Sequence, residues 1–530
     1  MYNGYREILF FIQIHLHKLL RIGGYRMQTI IELDGNTLTR QQIEKIVKGQ
    51  ASVVLSTDST ERVRASRERI EKRLAEGQVI YGVNTGFGKL SNIRIEESDI
   101  ELLQLNLLRS DATGVGEPFP TDVVRAMMIL RANALARGFS GIRQETLQLL
   151  LDCINKGVHP IVPSQGSVGA SGDLAPLSHL ALVLVGEGKA EFKGELVSGD
   201  IALQKAGLTP VRLQAKEGLA LVNGTQAMTG IGVLTLNEVE RIGLAADMAA
   251  SLSLEALKGI TSAFDPALLA VRPHPELELV GGRIRKWLEG SKRVTKQGEI
   301  RMQDAYSLRC IPQVHGASWQ SFFYAEQRVQ IEMNATTDNP IVLENGEVLS
   351  GGHFHGQPIA LAMDFLKVGV SEWANISERR TERMVNPQLN DGLPPFLATN
   401  PGIECGLMIA QYTAASLVSE NKVLAHPSSV DSIPTSGNQE DHVSMGTTSA
   451  RQVRQIVHNA ARVIAIEMIC ASQAIHLDKA EEQLSPTTRK YLEKVREFCP
   501  PLLADQPIGD EIEALAKYLL ASDVLLDESI

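Results

Sequence analysis

Five long segments with a helical spacing of apolar residues constrain the fold of this chain most strongly. In the last of them, Val453, Val457, Ile464 and Met468 fall on one stripe, and most of the remaining positions are also apolar or small. We therefore expect this helix to be buried nearly all round, as happens when long helices pack on one another. The sequence predicts a mainly α fold, a bundle of long central helices built from residues 228–259, 315–335, 358–385, 405–424 and 449–475.

The first half of the chain indicates a smaller, mixed region. Residues from about Leu38 to Leu74 and from Val123 to Arg137 have helical patterns, and Ala190 to Ser198 has the pattern of a small hairpin. Between two of the long helices, Asn345-Gly346 predicts a hairpin with a two-residue turn. The length of 530 residues alone suggests several domains, but no repeat or linker divides the chain. We predict an N-terminal extension, an N-terminal region and a helical bundle, at residues 1–26, 27–220 and 221–530.

Composition excludes several classes of protein. A net charge of -10 argues against a nucleic-acid binder, and a share of 44% apolar and 22% charged residues excludes bulk disorder and a multi-span membrane protein. The apolar run Ile8–Ile14 is too short to span a bilayer. The five cysteines are odd in number and never form a CxxC pair, which is typical of reduced thiols in a cytoplasmic protein.

The segment from Gly166 to Pro176 (GSVGASGDLAP) is the sharpest chemical feature of the sequence. Glycine- and serine-rich stretches are most often flexible loops, but this one leads directly into a long apolar helix. A phosphate-binding loop would need GxxxxGK[ST], which is not found here. A serine hydrolase would frame Ser171 as GxSxG, and it does not stand in that frame.

This segment resembles the Ala-Ser-Gly signature of the aromatic amino-acid ammonia-lyase and aminomutase family, and the resemblance extends over nearly the whole chain from Met27 onward. It implies that Ala170-Ser171-Gly172 cyclises and loses water to form 4-methylidene-imidazol-5-one, so that no external cofactor is needed. The residues suit that chemistry, because Gly172 leaves its nitrogen free to reach the Ala170 carbonyl. Ser171 supplies a β-hydroxyl that can leave. The implied fold is ammonia-lyase-like.

The segment Tyr81–Gly88 (YGVNTGFG) is similar to a lid in that family. Taken alone, a tyrosine before a glycine-rich loop is usually just an anchored aromatic side chain. The resemblance implies that Tyr81 is the catalytic base that removes a weakly acidic β-proton. The glycines would let the lid close and exclude water.

Three other segments carry residues to which the resemblance assigns roles at the substrate. The segment QDAYSLR, with Gln303, is similar to one in which Arg309 clamps the substrate carboxylate, a group that the guanidinium fork fits. Tyr306 is implied to assist near the electrophile. Asn223 is implied to hydrogen-bond the electrophile, and Asn339 to lie beside the carboxylate. By spacing alone, Arg309 would be an ion-pair residue and Asn339 part of a turn.

The segment NQEDHVSM is closest to the histidine-specific branch of the family, since the phenylalanine and tyrosine enzymes usually carry Gln where Glu440 stands. A carboxylate there suits a substrate amine or imidazole better than a plain aromatic ring, and the resemblance makes Glu440 a catalytic residue. Phe354 is implied to border the substrate pocket. No carboxylate or cysteine completes a metal-ligand set with the nearby histidines, so we predict no metal site. These histidines are His353, His355 and His442.

One position departs from the family. The histidine enzymes usually have Ser-His where this chain has Ser110-Asp111, and that histidine helps to recognise the substrate ring. Losing an imidazole contact would weaken the affinity for histidine, whereas a carboxylate would favour a protonated imidazole or another cationic side chain. Asp111 is therefore predicted to bind substrate, and it leaves the identity of that substrate open.

The leading hypothesis is non-oxidative elimination of ammonia from L-histidine to give trans-urocanate. An alternative is a 2,3-aminomutase, or a lyase for another amino acid, on the same scaffold. A second alternative is a non-catalytic helical scaffold, against which the intact Ala-Ser-Gly segment, Tyr81 and Arg309 argue. The resemblance also implies a homotetramer whose active sites are each built from several subunits. We expect a cytoplasmic enzyme with a small amino-acid substrate and no nucleic-acid or membrane partner.

Overall fold

The computed structural model describes residues 29–526 of the chain. The predicted extension at residues 1–26, with its apolar run Ile8–Ile14, lies outside the described residues. Within 29–526 the chain is mainly helical, and all five long helices predicted from the sequence are present. Short two- and three-stranded sheets accompany them and lie mostly in the N-terminal half.

The N-terminal half combines short helices with small sheets. Strands β1 and β2 are parallel, β3 pairs with β5, and β4, β6 and β7 form a three-stranded antiparallel sheet. The strands are β1 Thr29–Leu33, β2 Ala51–Leu55, β3 Val115–Pro118, β4 Val158–Pro160, β5 Pro163–Gln165, β6 Lys189–Phe192 and β7 Glu195–Ser198. The helices are α1 Arg40–Val47, α2 Thr57–Ala75, α3 Ile100–Asp111, α4 Thr121–Ala136, α5 Gln144–Lys156, α6 Leu174–Leu184, α7 Gly199–Lys205 and α8 Glu217–Val222.

The prediction of a helical region from Leu38 to Leu74 is wrong in its middle. Helix α1 begins with a capping box on Thr39, and the chain then passes through Gly49 at φ +68° into strand β2. Two adjacent β-branched residues, Val53 and Val54, favour the extended backbone there. Helix α2 starts only after Ser56, whose side chain accepts a hydrogen bond from the backbone of Ser59.

The second half is the helical bundle. Helices α9, α13, α14 and α16 pack on one another and form its centre. Two short strands, β8 Ile341–Val342 and β9 Val348–Leu349, confirm the predicted hairpin, but its loop is longer than two residues. The helices are α9 Gln226–Ala256, α10 Pro266–Ala270, α11 Pro275–Trp287, α12 Tyr306–Arg309, α13 Ile311–Glu332, α14 Gln357–Val385, α15 Met408–Leu424, α16 Gly446–Leu477, α17 Pro486–Phe498 and α18 Gly509–Ala521.

Helix α16 is the central helix of this bundle. It is long and apolar enough to cross a membrane by length and composition alone, yet 83% of its most apolar stretch is buried inside the fold. It contacts α9, α14, α15 and α18, which confirms the prediction that it is buried nearly all round. Burial of this extent is typical of a helix in the core of a folded domain.

A fully buried ionic network links the four central helices. Nδ1 of His315 lies 2.6 Å from Oδ1 of Asp247, and Nη2 of Arg380 donates to Oε2 of Glu467 at 2.9 Å. The guanidinium also lies 3.3 Å from Nε2 of His315. All four side chains are shielded from solvent. Buried charges are tolerated only when paired and hydrogen-bonded, so this network fixes how α9, α13, α14 and α16 meet.

Candidate active site

The Ala170-Ser171-Gly172 segment forms a tight turn just before helix α6. Gly172 has φ +74° and makes a parallel bridge with Gly224. A Cβ at position 172 would overlap the carbonyl oxygen of Gly224, so both the backbone conformation and the space require glycine. This close approach brings the turn against the segment that leads into α9.

Asp173 anchors the turn from its C-terminal side. Its backbone N–H donates to the carbonyl of Gly224 at 2.7 Å. Its buried carboxylate accepts hydrogen bonds from the backbone N–H groups of Ala227 and Met228, each at 2.9 Å. The hydroxyl of Thr447 at the start of α16 also donates to it. One aspartate thus ties the turn to the first residues of two central helices.

Ser171 faces Glu440 and Asn223. Its hydroxyl donates to Oε1 of Glu440 at 2.7 Å, and Nδ2 of Asn223 donates to its carbonyl oxygen at 3.0 Å. The other carboxylate oxygen of Glu440 accepts from the hydroxyl of Thr435 at 2.9 Å. Oδ1 of Asn223 is buried without a hydrogen-bond partner among the described residues. The arrangement surrounds the serine with one carboxylate and one amide.

Hydrogen bonds near both ends of the YGVNTGFG segment fix the position of Tyr81. Oη of Tyr81 accepts a hydrogen bond from the backbone N–H of Gly88 at 3.1 Å, which closes the segment on itself. Oδ1 of Asn84 accepts from the backbone N–H of Ile80 at 2.7 Å, and its amide donates to the carbonyl of Gln78 at 2.8 Å. The phenol oxygen is therefore fixed beside the loop.

One cavity of about 1000 Å³ unites most of the predicted site residues. Its walls also include Leu107 and Leu219, which sequence reasoning did not single out. Oδ1 of the Asn339 side chain accepts a hydrogen bond from the backbone N–H of Gly351 at 2.8 Å. The predicted residues that line this cavity are Tyr81, Asp111, Ala170, Ser171, Asn223, Asn339, Phe354 and Glu440. Gly172, the last residue of the Ala-Ser-Gly turn, is buried.

Gln303, Tyr306 and Arg309 do not line this cavity. Tyr306 is 71% exposed, and the guanidinium of Arg309 lies 4.6 Å from the centre of the Tyr306 ring. Buried Asp304 fixes the segment by accepting the backbone N–H of Ile260 at 2.6 Å. Within one chain, none of these three residues therefore lines the cavity that contains Ser171.

Two carboxyl groups, Asp111 and Glu440, face the same cavity. Burial is the main cause that raises the pKa of Asp111 to about 6, and the negative charge of Glu440 raises it further. A hydrogen bond from the hydroxyl of Ser110, at 3.3 Å, opposes these effects. Among the described residues, no basic side chain forms an ion pair with Asp111.

Three histidines lie near the cavity. The rings of His355 and His442 stack in parallel with their centres 5.8 Å apart, and His353 is exposed. Within residues 29–526, no group of three or more potential ligands is arranged to hold a metal ion.

Buried cations behind the site were missed by sequence reasoning. Arg131 is fully buried in α4, and its Nη1 donates to the carbonyl of Asn223 at 3.1 Å. Nζ of Lys216 lies 2.8 Å from Oδ2 of Asp338, whose Oδ1 accepts the backbone N–H of Asn339. The only signal in the sequence is a charge inside an apolar stretch, such as Arg131 in MMILRANALA. Arg131 and Lys216 thus fix the backbone at Asn223 and Asn339.

Comparisons with known proteins agree with this architecture. The sequence profile of the aromatic amino acid lyase family matches residues 38–497. A histidine ammonia-lyase of Geobacillus thermodenitrificans is 54% identical over 490 residues, which are 92% of this chain and 97% of that protein. The crystal structure of histidine ammonia-lyase from Trypanosoma cruzi is 42% identical, with a TM-score of 0.87 over 94% of this chain and 95% of that one. Tyrosine aminomutase from Streptomyces globisporus is 36% identical, with a TM-score of 0.91 over 94% and 98%. The chain therefore belongs to the aromatic amino acid lyase family.

Proposed function

We propose that this carbon–nitrogen lyase eliminates ammonia from L-histidine and releases trans-urocanate. The observation that carries the proposal is the gathering of Tyr81, Ser171, Asn223 and Glu440 around one cavity. The high identity to histidine ammonia-lyases over nearly the full length supports histidine as the substrate.

The residues around Ser171 fit a self-made methylidene-imidazolone. Gly172 leaves no room for a Cβ and bends the backbone at φ +74°, and cyclisation onto Ala170 requires a tight bend of this kind. Nδ2 of Asn223 donates to the Ser171 carbonyl oxygen, which would become the ring carbonyl of the group. When formed, the group supplies an electron-poor double bond that makes ammonia easier to expel. No external cofactor is part of this proposal.

Tyr81 is the proposed base. Tyr81 lines the cavity, and the backbone N–H of Gly88 fixes the position of its phenol oxygen. In the reaction, this oxygen takes the β-proton of the substrate. Because the phenol must lie within hydrogen-bond reach of that proton, the bond from Gly88 matters for geometry as well as for charge.

Glu440 is the proposed second polar group at the reacting centre. Its carboxylate already accepts the hydroxyl of Ser171 and lies where a substrate amine would approach. Asn339 and Phe354 also line the cavity and would contact the substrate carboxylate and ring. A carboxylate beside an ammonium group stabilises the positive charge and orients the nitrogen that leaves.

Gln303, Tyr306 and Arg309 are proposed to complete the site from a second copy of the chain. They are held away from the cavity of their own chain, and Tyr306 presents its ring to solvent. Arg309 would then clamp the α-carboxylate across the interface. This arrangement supports a homotetramer. Five cysteines without a disulfide support a cytoplasmic location.

The direct test is the rise of urocanate absorbance when purified enzyme is mixed with L-histidine. Ser171→Ala should abolish it, because the variant has no β-hydroxyl to lose. The intact mass should also lie about 36 Da, two waters, below the value calculated from the sequence, and this deficit should be absent in Ser171→Ala. If wild-type enzyme carries the mass deficit but leaves L-histidine unchanged, then histidine is not the substrate.

A second candidate is a 2,3-aminomutase or a lyase for another amino acid. Asp111 favours it, and a tyrosine aminomutase shares the fold. Mass spectrometry of products from a panel of amino acids separates the two: a β-amino acid indicates a mutase, and another acrylate indicates a different lyase. A large gain in histidine turnover in Asp111→His would also favour a different native substrate. An unmodified intact mass would favour a non-catalytic scaffold.

A further inference from the structure

Gln104 joins two segments of the active site from behind the cavity. It is fully buried on helix α3, and it shares a helix face with Leu107 and Asp111, which line the cavity. Its Nε2 donates to the carbonyl of Gly82 at 3.2 Å, and its Oε1 accepts from the backbone N–H of Gly218 at 2.9 Å. Both polar ends of one amide are therefore used, each on the backbone of a different segment.

The acceptor end of Gln104 caps helix α8. The residue before this helix is Lys216, whose amine pairs with Asp338 instead of capping the first turn. Oε1 of Gln104 takes the place of a capping side chain, because it accepts the N–H groups of both Gly218 and Leu219, the latter at 3.3 Å. A Cβ at Gly218 would lie 2.7 Å from the backbone oxygen of Gln104, so glycine lets the two helices approach this closely. Gln104 thus fixes where α8 begins.

Helix α8 links this position to the Ala-Ser-Gly turn. It has six residues and ends at Val222, next to Asn223. The backbone N–H of Asn223 donates back into the helix, to the carbonyl of Leu219 at 2.9 Å. The side chain of Asn223 donates to the carbonyl of Ser171. A displacement of α8 would therefore move the contact between the asparagine and the turn.

The donor end of Gln104 holds the residue that follows Tyr81. Gly82 is buried, so its carbonyl needs a hydrogen-bond partner, and the amide of Gln104 provides one. The bond from Gly88 to the phenol oxygen ties Tyr81 to its own loop. The bond from Gln104 ties that loop to the helices behind the site.

From this geometry we propose that Gln104 is a positioning residue that sets the place of Tyr81 relative to the Ser171 turn. The inference rests on the proposed function, in which Tyr81 is the base and the turn forms the electrophile. Because one amide contacts both segments, a single side chain controls the separation of these two groups. An error of about 1 Å in such a separation can slow a reaction about a hundredfold.

Gln104→Met tests the inference, because it keeps the length of the side chain and removes both polar ends. Urocanate formation is measured per molecule that carries the mass deficit, so that incomplete formation of the electrophile is not counted as slower turnover. We expect kcat to fall about tenfold or more and KM to change much less, because the base is displaced while the groups that bind substrate stay in place. If Gln104→Met fails to fold, Gln104→Asn is measured in its place, since the shorter amide cannot reach both segments.

Gln473→Met is the matched control. Gln473 is a buried glutamine of α16 outside the cavity lining, and its amide also bridges backbone groups, donating to Leu502 at 3.0 Å and accepting from it at 2.9 Å. Both variants should lower the melting temperature, because each leaves buried backbone groups unpaired. Only Gln104→Met should lower kcat. A kcat that stays at the wild-type value in Gln104→Met, or that falls equally in the two variants, would overturn the inference.

Backbone hydrogen exchange separates this inference from the proposed function. The amides of residues 81–88 should exchange faster in Gln104→Met than in Gln473→Met, whichever amino acid is the substrate. Equal exchange in the two variants would overturn the inference. Wild-type enzyme that forms no urocanate would contradict the proposed function alone.

Discussion

At the scale of single residues, the site is positioned by buried polar partners that lie far away in the sequence. Asp173 ties the Ala-Ser-Gly turn to the start of α9, and Arg131 holds the backbone of Asn223 from α4. The residues proposed to take part in the chemistry could be singled out because their motifs are local and distinctive. Asp173 and Arg131 act through contacts between distant segments, which no local pattern reveals. Tyr81, Asp111 and the other cavity residues were found, but these supports were not.

Asp111 gives a prediction for stability as a function of pH. Its pKa in the folded chain is about 6, above the ordinary value of 3.8. A raised carboxyl pKa contributes stability below the unfolded value that is lost as the pH rises through about 6. The ionised group therefore lowers the free energy of unfolding at pH 7.5. We expect Asp111→Asn to melt at a higher temperature than wild type at pH 7.5, and this advantage to shrink from pH 6 towards pH 4.

Thermal melting at a series of pH values measures this effect. The cavity also holds Tyr81, Glu440, Asp441, His355 and His442, so the quantity to compare is the difference between variant and wild type at each pH. Asp441→Asn serves as the control for removing one charge. A lower melting temperature for Asp111→Asn at pH 7.5 would mean that Asp111 has a structural role.

At the scale of helices and strands, the long apolar periods were sufficient to predict the bundle. The five long segments recur as α9, α13, α14, α15 and α16. Four of them bury wide apolar faces within the chain, whereas α15 buries only Ala410, Ala414 and Asn421. Strand β2 was not predicted, since its five residues stand between two helical patterns and pair with β1 in parallel. Parallel pairing depends on tertiary contacts that the local sequence does not encode.

The buried network between helices predicts a large loss of stability on removing one partner. Arg380→Met would leave the Glu467 carboxylate buried and unpaired at the contact of α14 and α16. Breaking a buried pair in this way costs about 3–5 kcal/mol. We expect a clear fall in melting temperature. Lys205→Met is the control, because it removes an exposed pair with Glu195, whose two side chains are 44% and 67% exposed. Equal melting temperatures for the two variants would contradict the structural role of the network.

At the scale of the whole molecule, the cavity of one chain lacks the residues proposed to clamp the substrate carboxylate. If Arg309 acts in a neighbouring copy, two inactive variants should complement each other. Co-expression of Ser171→Ala with Arg309→Ala should restore up to about a quarter of wild-type urocanate formation, since subunits mix at random in a symmetric oligomer. Each variant alone is the control. No recovery in verified mixed oligomers would place Ser171 and Arg309 in the same chain's site.

The anchoring of the Ala-Ser-Gly turn determines which molecules in a preparation can form the electrophile. The turn takes its shape only when Gly224, the start of α9 and Thr447 of α16 have come together from distant parts of the chain. On the proposed function, a newly made chain would acquire its electrophile only after these segments have met. Because the loss of two waters is irreversible, a molecule that carries the mass deficit must have folded its helical bundle at least once, even if it is unfolded when its mass is measured.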